Sequence, residues 1–231
     1  FAFGAVYALD IIINQKRIWE IIELFLYIII VFLTGSRGGL IALITSLGTY
    51  IIVFSQKGKK HIFTKIVCFL LVLLIINLIF NHLPNELKMR FNLEKISDSG
   101  GAGRIELWGN AISMYRSSDF FTHVFGFGTS TARYNMAIRG FKRVNVVHNI
   151  FLETLVELGI TGFTLYTVAI FSFIKAAFNF QDKFSFAVVM CMLTLSLSSS
   201  LYAFKPYFNI MLFIIMVQNM QTNNIKHINI N

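Results

Sequence analysis

Residues 66–85 read IVCFLLVLLIINLIFNHLPN, twenty consecutive positions without an Asp, Glu, Lys or Arg. A helix needs about 20 apolar residues to cross the roughly 30 Å hydrocarbon core of a bilayer. An isolated strand or loop could not satisfy its backbone hydrogen bonds there, whereas a helix does so within itself. This segment therefore predicts a membrane-spanning helix.

Similar segments recur along the 231 residues. Further charge-free runs of 17 to 21 residues occupy 38–56, 158–174, 184–204 and 206–225. Residues 18–34 predict another span, with two glutamates at one end, and residues 1–13 predict the remainder of a truncated span. The sequence thus predicts an all-α, polytopic membrane protein with about seven visible spans, forming the C-terminal part of a longer chain.

The composition agrees with this class. Hydrophobic residues make up 56% of the chain and charged residues 13%, against about 45–50% and 25% in soluble domains. An ordinary cytosolic enzyme and a disordered tail are excluded. The two cysteines, Cys68 and Cys191, lie within apolar runs, so we expect buried thiols and no disulfide framework.

Lysines and arginines between the spans predict the orientation. If the spans alternate, one face carries Lys16, Arg17, Lys57, Lys59, Lys60, Lys65, Lys175, Lys183 and Lys226. The short loops of the other face hold only Arg37 and Lys205. The positive-inside rule makes the first face cytoplasmic. Transmembrane helices are therefore predicted in residues 1–85 and 148–222, and a cytoplasmic tail in residues 223–231.

Residues 86–147 are predicted to form one long extracytoplasmic loop domain that contains short helices. This segment has nine Lys or Arg and five Asp or Glu, a net charge of +4. Such a charge beside a membrane favours an anionic partner, either lipid headgroups or a phosphorylated substrate. A generically basic chain explains it equally well.

Within the loop, residues 104–115 have a helical period that places Ile105, Trp108, Ile112 and Tyr115 on one face. This pattern predicts a helix lying at the membrane interface, with Trp108 at the level of the headgroups. A helix packed into the loop domain is the alternative. The preceding residues 97–103 are rich in glycine and serine and predict a flexible turn.

Farther along, residues 125–130 read FGFGTS. They lack the third glycine of a dinucleotide-binding loop and predict a turn. Cations follow at Arg133, Arg139, Lys142 and Arg143, which is typical of a solvated face, here beside a membrane.

Two candidate site residues, His148 and Arg37, lie at the ends of predicted spans. His148 precedes the fifth span, and an ordinary histidine pKa near 6.5 suits proton transfer, although a structural histidine is the alternative. Arg37 lies in the turn TGSRGG at 34–39, where small residues allow a ligand or a helix to approach closely. A tight turn with a snorkelling arginine is the other interpretation.

In this order, the motifs resemble those of the O-antigen ligase / O-antigen polymerase superfamily of bacterial membrane glycosyltransferases. The resemblance extends over about residues 18–220. It rests on Ser36-Arg37-Gly38-Gly39, Arg104 with Trp108, Gly126-Phe127-Gly128, His148-Asn149, ELGITG at 157–162 and YAFKPYF at 202–208.

The resemblance implies a GT-C-like enzyme in the bacterial cytoplasmic membrane, with its active site on the extracytoplasmic face. The donor would be a polyprenyl-diphosphate-linked glycan of O-antigen, capsular or exopolysaccharide type, and the acceptor a glycan or lipid core. Transfer would be inverting and metal-independent, without cofactor or nucleic acid. Besides the lipid bilayer, other polysaccharide-export proteins are candidate partners.

The resemblance also implies the residue roles. Arg37 and Arg104 would bind the diphosphate, and His148 would be the general base. The possible supporting residues are Trp108, Asn149, Glu157, Arg133 and Arg139.

Several functions fit this sequence. A polymerase that joins lipid-linked repeats is our first expectation, because nothing here suggests a dedicated core-lipid or protein acceptor site. A ligase acting on a lipid A core or protein is the alternative. A flippase for lipid-linked glycans is less favoured, because the charges lie at span ends instead of mid-membrane. A non-catalytic scaffold would tolerate substitution of Arg37, Arg104 and His148.

Overall fold

A computed structural model shows an all-α protein, as the sequence predicts. The structure describes residues 1–15, 17, 19–52, 59–91, 100–142, 144–179, 182–198, 217 and 221, and no strand occurs within those ranges. The predicted cytoplasmic tail 223–231 and the motif at 202–208 lie outside the described residues, as do Lys16, Lys57 and Arg143.

The helices in chain order are α1 (Ala2–Gln15), α2 (Glu20–Leu33), α3 (Arg37–Ile52), α4 (Lys59–His82), α5 (Asn85–Arg90), α6 (Gly100–Arg116), α7 (Phe120–Phe125), α8 (Ala132–Ile138), α9 (Ile150–Asn179) and α10 (Lys183–Ser196). The short helices α5 to α8 occupy the segment predicted to be a loop with short helices. The first turn of α6 includes residues 100–103, which the glycine-rich sequence predicted as a turn, although Gly103 does have a left-handed φ of 75°.

Six of the predicted spans coincide with α1, α2, α3, α4, α9 and α10, and residues 206–225 fall almost wholly outside the described ranges. In the described part of the chain, one helix, Ile150–Asn179, is long and apolar enough to cross a membrane. Shorter apolar helices occupy Ala2–Gln15, Arg37–Ile52, Val72–His82 and Lys183–Ser196. The number of spans therefore stays a prediction.

The chain divides into two compact units. The first comprises Phe1–Asn92, Phe173–Leu195 and Met216–Asn231. Its α1 packs against α2 and α3, and its buried side chains include Val6, Phe32 and Leu43. The hydroxyl of Tyr50 donates a 2.6 Å hydrogen bond to Oδ1 of Asp10, which joins α3 to α1.

The second unit comprises Leu93–Ser172 and Ser196–Ile215. Its core brings α6 and α8 together with the segment that leads into α9, through the buried residues Leu107, Ala111, Met114, Ala132, Met136, Val147 and Val156. The predicted boundary between the loop domain (86–147) and the transmembrane helices that follow (148–222) lies within this core.

The buried face of α6 is formed by residues other than Ile105 and Ile112, which belong to the face predicted to lie at the membrane interface. Leu107, Ala111 and Met114 are buried, whereas Ile105 is 68% exposed and Ile112 is 39% exposed. Both sets of residues have helical spacing. Spacing alone does not show which face of the helix the rest of the chain packs against. Trp108 and Tyr115 pack at the edge of the buried face. Trp108 is thus a packing residue of the loop domain.

Candidate functional site

Trp108 joins α6 to the residue that precedes His148. Its indole Nε1 donates a 2.8 Å hydrogen bond to the carbonyl oxygen of Val147. Val147 is fully buried in the core of the second unit, so this carbonyl needs a protein donor. The segment that carries His148 is therefore held against α6.

His148 stands half-buried in a left-handed backbone conformation, with φ 54°. Only a few per cent of non-glycine residues have a positive φ, and such residues cluster at functional sites. The pKa of the His148 imidazole is lowered, first by burial and then by the positive charge of Arg104. The charge of Arg104 thus acts on His148, and both causes favour the neutral form of the imidazole.

Asn149 begins α9 directly after His148. Its side-chain Oδ1 accepts a 3.1 Å hydrogen bond from the backbone N–H of Leu152, and its carbonyl accepts one of 2.8 Å from Glu153. An asparagine at this position is a favourable helix N-cap. The cap fixes where the helix starts and hence the direction in which the backbone leaves His148.

Glu153 lies in the first turn of α9 and is only 1% exposed. It is not among the site residues predicted from the sequence. A carboxylate in an otherwise apolar segment is a signal that could have identified it, because buried charges in proteins are paired or hydrogen-bonded.

Glu157 organises the loop between α7 and α8. Its carboxylate accepts hydrogen bonds from the backbone N–H of Ser130 at 2.9 Å and of Ala132 at 3.1 Å. Its carbonyl oxygen accepts another from Gly128 at 2.9 Å. Because Ala132 is the first residue of α8, the carboxylate also stabilises the amino-terminal end of that helix.

The motif Gly126-Phe127-Gly128 lies directly on a break in α9. Gly159 has φ 66° inside this helix and interrupts it. A Cβ on Gly126 would overlap the backbone of Glu157, and one on Gly159 would overlap the carbonyl of Val124. We call this close approach of Gly126 and Gly159 the glycine contact. The hydroxyl of Thr161 donates a 2.8 Å hydrogen bond to the carbonyl of Val124 beside it.

The two other predicted supporting residues lie on α8 and its C-cap. Arg139 donates hydrogen bonds to the carbonyl of Met114 and the hydroxyl of Ser117, and its guanidinium lies 5.2 Å from the ring centre of Phe127. Arg133 is exposed in a shallow cleft of about 510 Å³, whose lining consists of Ser130, Arg133, Tyr134, Ala137 and Val144.

Arg37 belongs to the first unit, where it is half-buried at the start of α3. Gly35 turns the chain with φ 61°, and the Ser36 hydroxyl accepts a 3.1 Å hydrogen bond from the N–H of Gly39. The predicted sharp turn is therefore present. Among the residues that the structure describes, no group of three or more His, Cys, Asp or Glu could hold a metal ion.

These features define a helical protein whose second unit holds a half-buried histidine with a pKa lowered by burial and by an arginine. The profile of the O-antigen ligase family matches residues 22–167. This range is more than half of the chain, and the chain therefore belongs to the O-antigen ligase family. The family implies a general role in transferring or ligating lipid-linked glycans and is typically embedded in membranes. Neither a search of curated proteins nor one of solved structures finds a match.

Proposed function

We propose that the protein polymerises polyprenyl-diphosphate-linked glycan repeats on the outer face of the cytoplasmic membrane, with His148, Arg104 and Arg37 as the site residues. The observation that carries the proposal is the half-buried His148, held in a left-handed backbone conformation, whose pKa is lowered by burial and then by the positive charge of Arg104. A neutral base beside a fixed cation suits the attack of a hydroxyl on a diphosphate-linked sugar.

The reaction is a single displacement. The oxygen of an acceptor hydroxyl attacks the anomeric carbon of the donor, and the bond from that carbon to the diphosphate oxygen breaks with its electron pair on the diphosphate. The hydroxyl proton moves to the His148 imidazole. Attack opposite to the leaving group inverts the anomeric configuration. A positioned base of this kind contributes about 10²- to 10⁴-fold to the rate.

The departing diphosphate gains negative charge, and Arg104 is placed to stabilise it. A guanidinium never loses its proton in proteins and offers a planar fork that fits phosphate oxygens. Arg104 lies near the amino-terminal end of α6, whose first turn carries no acidic residue. Helix amino termini also attract anions. The guanidinium of Arg104 and the dipole of α6 together support a transfer that needs no metal ion.

Arg37 is proposed as a second diphosphate ligand on the strength of the family resemblance. Arg37 is the first residue of α3, whose first turn, like that of α6, carries no acidic residue. Trp108 and Asn149 are proposed to position His148, through the contacts that they make on either side of it. Glu157 is proposed to support the site indirectly, by holding the loop at 126–132.

An O-antigen ligase is the second candidate, because the matching family profile carries that description. A ligase would move a finished glycan onto a lipid A core or a protein. The polymerase is preferred because no dedicated site for such an acceptor is evident in the sequence. The multi-pass topology, with the active site on the extracytoplasmic side, is part of the proposal.

The test is transfer in vitro from a synthetic polyprenyl-diphosphate glycan, with wild type and His148→Asn compared in the presence and absence of a chelator. Asparagine adopts a left-handed backbone readily, so this variant keeps the local fold and removes the base. We expect wild type to form longer lipid-linked chains with or without chelator, and His148→Asn to be slower by about 10²- to 10⁴-fold.

Each of the other outcomes would contradict a different part of the proposed function. An active His148→Asn variant would contradict the base assignment, and inhibition by chelator would contradict metal independence. Transfer only to a lipid A core would support the ligase. Movement of labelled lipid-linked sugar across vesicles without new glycosidic bonds would support a transporter.

A further inference from the structure

Three phenylalanines of the second unit are directed away from its core. Phe120 is 75% exposed, Phe121 73% and Phe125 62%. They belong to α7, a helix of six residues, and we call them the phenylalanine cluster. Burying a side chain of this size is normally strongly favourable. A group of three exposed rings on one short helix therefore indicates a surface that contacts something apolar.

The orientation of α7 is well fixed. The Asp119 side chain accepts a 2.7 Å hydrogen bond from the N–H of Thr122 and starts the helix. On one side, the ring of His123 packs edge-on against Tyr115, with 4.8 Å between ring centres. Phe121 and Phe125 are four residues apart and share the other side. Phe121 and Phe125 are exposed because the opposite side of α7 faces Tyr115 of α6. Phe120 begins the helix, and its ring lies edge-on to that of Phe121, with 6.2 Å between ring centres.

The carboxyl end of α7 is attached to α9 at a defined place. The carbonyl of Val124 accepts the hydrogen bond from Thr161, and Gly126 meets α9 in the glycine contact. After the break at Gly159, α9 continues with exposed apolar residues, among them Leu165 and Phe171. From Thr161 to Phe178 the helix is about 26 Å long at 1.5 Å per residue, close to the roughly 30 Å hydrocarbon core.

We propose that the phenylalanine cluster inserts into the bilayer interface and anchors the loop domain on the membrane surface. This inference rests on the proposed topology, in which α9 crosses the bilayer after Gly159. Thr161 then lies at a membrane boundary, and its contact with Val124 places α7 at the same level. Aromatic side chains are enriched at this depth of a bilayer, and a short anchor there would hold the second unit next to the lipid-linked donor.

The experiment measures depth by spin labelling in the full chain. Both natural cysteines are replaced (Cys68→Ser, Cys191→Ala), and single labels are attached at Phe121→Cys, Leu165→Cys and Lys142→Cys. The protein is reconstituted into vesicles of phosphatidylethanolamine and phosphatidylglycerol. Collision with oxygen, which concentrates in hydrocarbon, is compared with collision with a polar nickel chelate, which stays in water.

We expect the ratio of oxygen to nickel collisions to be highest at residue 165, intermediate at 121 and lowest at the exposed Lys142 position. A label at 121 that is as accessible to nickel as the label at 142 would overturn the anchor and leave the topology intact, provided that 165 remains lipidic. An aqueous label at 165 would overturn the topology instead. Spin–spin broadening at 121 that disappears on dilution with unlabelled protein would show a second copy covering the cluster, which also overturns the proposal.

Discussion

The indole of Trp108 and the carbonyl of Val147 are joined by a 2.8 Å hydrogen bond although 39 residues separate them in the chain. Trp108 lies one helical turn after Arg104, and Val147 immediately precedes His148. A single contact therefore couples the helix that carries the proposed phosphate ligand to the segment that carries the proposed base.

Trp108→Phe should slow glycan transfer more than it destabilises the fold. The phenyl ring still packs against the core, but the buried carbonyl of Val147 loses its donor, at a cost of about 1–3 kcal/mol. Small displacements of a catalytic group can reduce rates by about 10²-fold. Transfer assays and thermal unfolding in detergent measure the two effects.

Tyr115→Phe is the matched control for this variant. It removes another side-chain donor of α6, the hydroxyl that donates to the carbonyl of His123 at 2.7 Å. We expect a similar loss of stability with near-normal transfer. Equal loss of transfer in both variants would mean that Trp108 acts only through stability.

The pH dependence of transfer should follow His148. Burial and the Arg104 charge both disfavour the protonated imidazole and keep its pKa below the ordinary 6.5. The neutral base therefore predominates at pH 7, and the rate should be level there and fall only as pH decreases past this lowered pKa. Arg104→Gln removes one of the two causes, so the pKa should rise.

NMR titration of labelled histidine measures this shift without relying on activity, with His148→Asn to assign the signal. Arg116→Gln is the control, since it lies twelve residues farther along α6, about 18 Å along the axis. Trp108, which contacts the residue before His148, is eight residues or about 12 Å along the axis from Arg116, and this distance still exceeds the Debye length of about 8–10 Å. A His148 pKa that responds equally to both substitutions would contradict a specific pairing with Arg104.

Arg37→Lys should lose most of the transfer activity while the protein still inserts into membranes. Lysine keeps the charge but loses the bidentate fork, and a lost hydrogen bond to a charged group costs about 1.5–3 kcal/mol, or roughly 10- to 100-fold in rate. Arg17→Lys, at an exposed position between α1 and α2, should retain activity. Near-normal transfer by Arg37→Lys would remove Arg37 from the site.

Gly126→Ala should prevent the loop domain from packing. The new methyl group would overlap the backbone of Glu157, and φ is 79° at this position. Gly109→Ala is the control, because no other atom lies within 4 Å of its Cβ position and alanine favours helices by about 1 kcal/mol. We expect lower yield and faster proteolysis of the first variant and slightly higher stability of the second. Equal behaviour would contradict the glycine contact.

The sequence predicts the helices well because they depend on local information. Charge-free runs coincide with α3, α4 and α10, and the period at 104–115 coincides with α6. Which face of α6 packs into the loop domain could not be derived, since Leu107, Ala111 and Met114 have the same kind of spacing as Ile105 and Ile112. Which of two such faces is buried depends on residues 132–156, and those are distant in sequence.

The same distinction between local sequence information and contacts between distant residues applies to the candidate site. His148 and Arg104 could be chosen by residue type and by the order of motifs, but their electrostatic pairing depends on folding. Two hydrogen bonds of the Glu157 carboxylate could not be predicted, because their donors are the backbone N–H groups of Ser130 and Ala132. Hydrogen bonds from backbone N–H groups cannot be recognised in the pattern of side chains along the sequence. The roles of Arg37, Arg104 and His148 in transfer remain predictions for the experiments above.

The glycine contact has a consequence for biosynthesis. Val124, Phe127 and Gly128 acquire their hydrogen-bond partners on α9 only when residues 156–161 have been made, about 29 to 37 positions later in the chain. At about 5–20 residues per second, the ribosome needs roughly 2–7 s for that interval. During this time α7 has its contacts with Tyr115 of α6 but none with α9, and its three phenylalanines are exposed to the translocation machinery or the lipid.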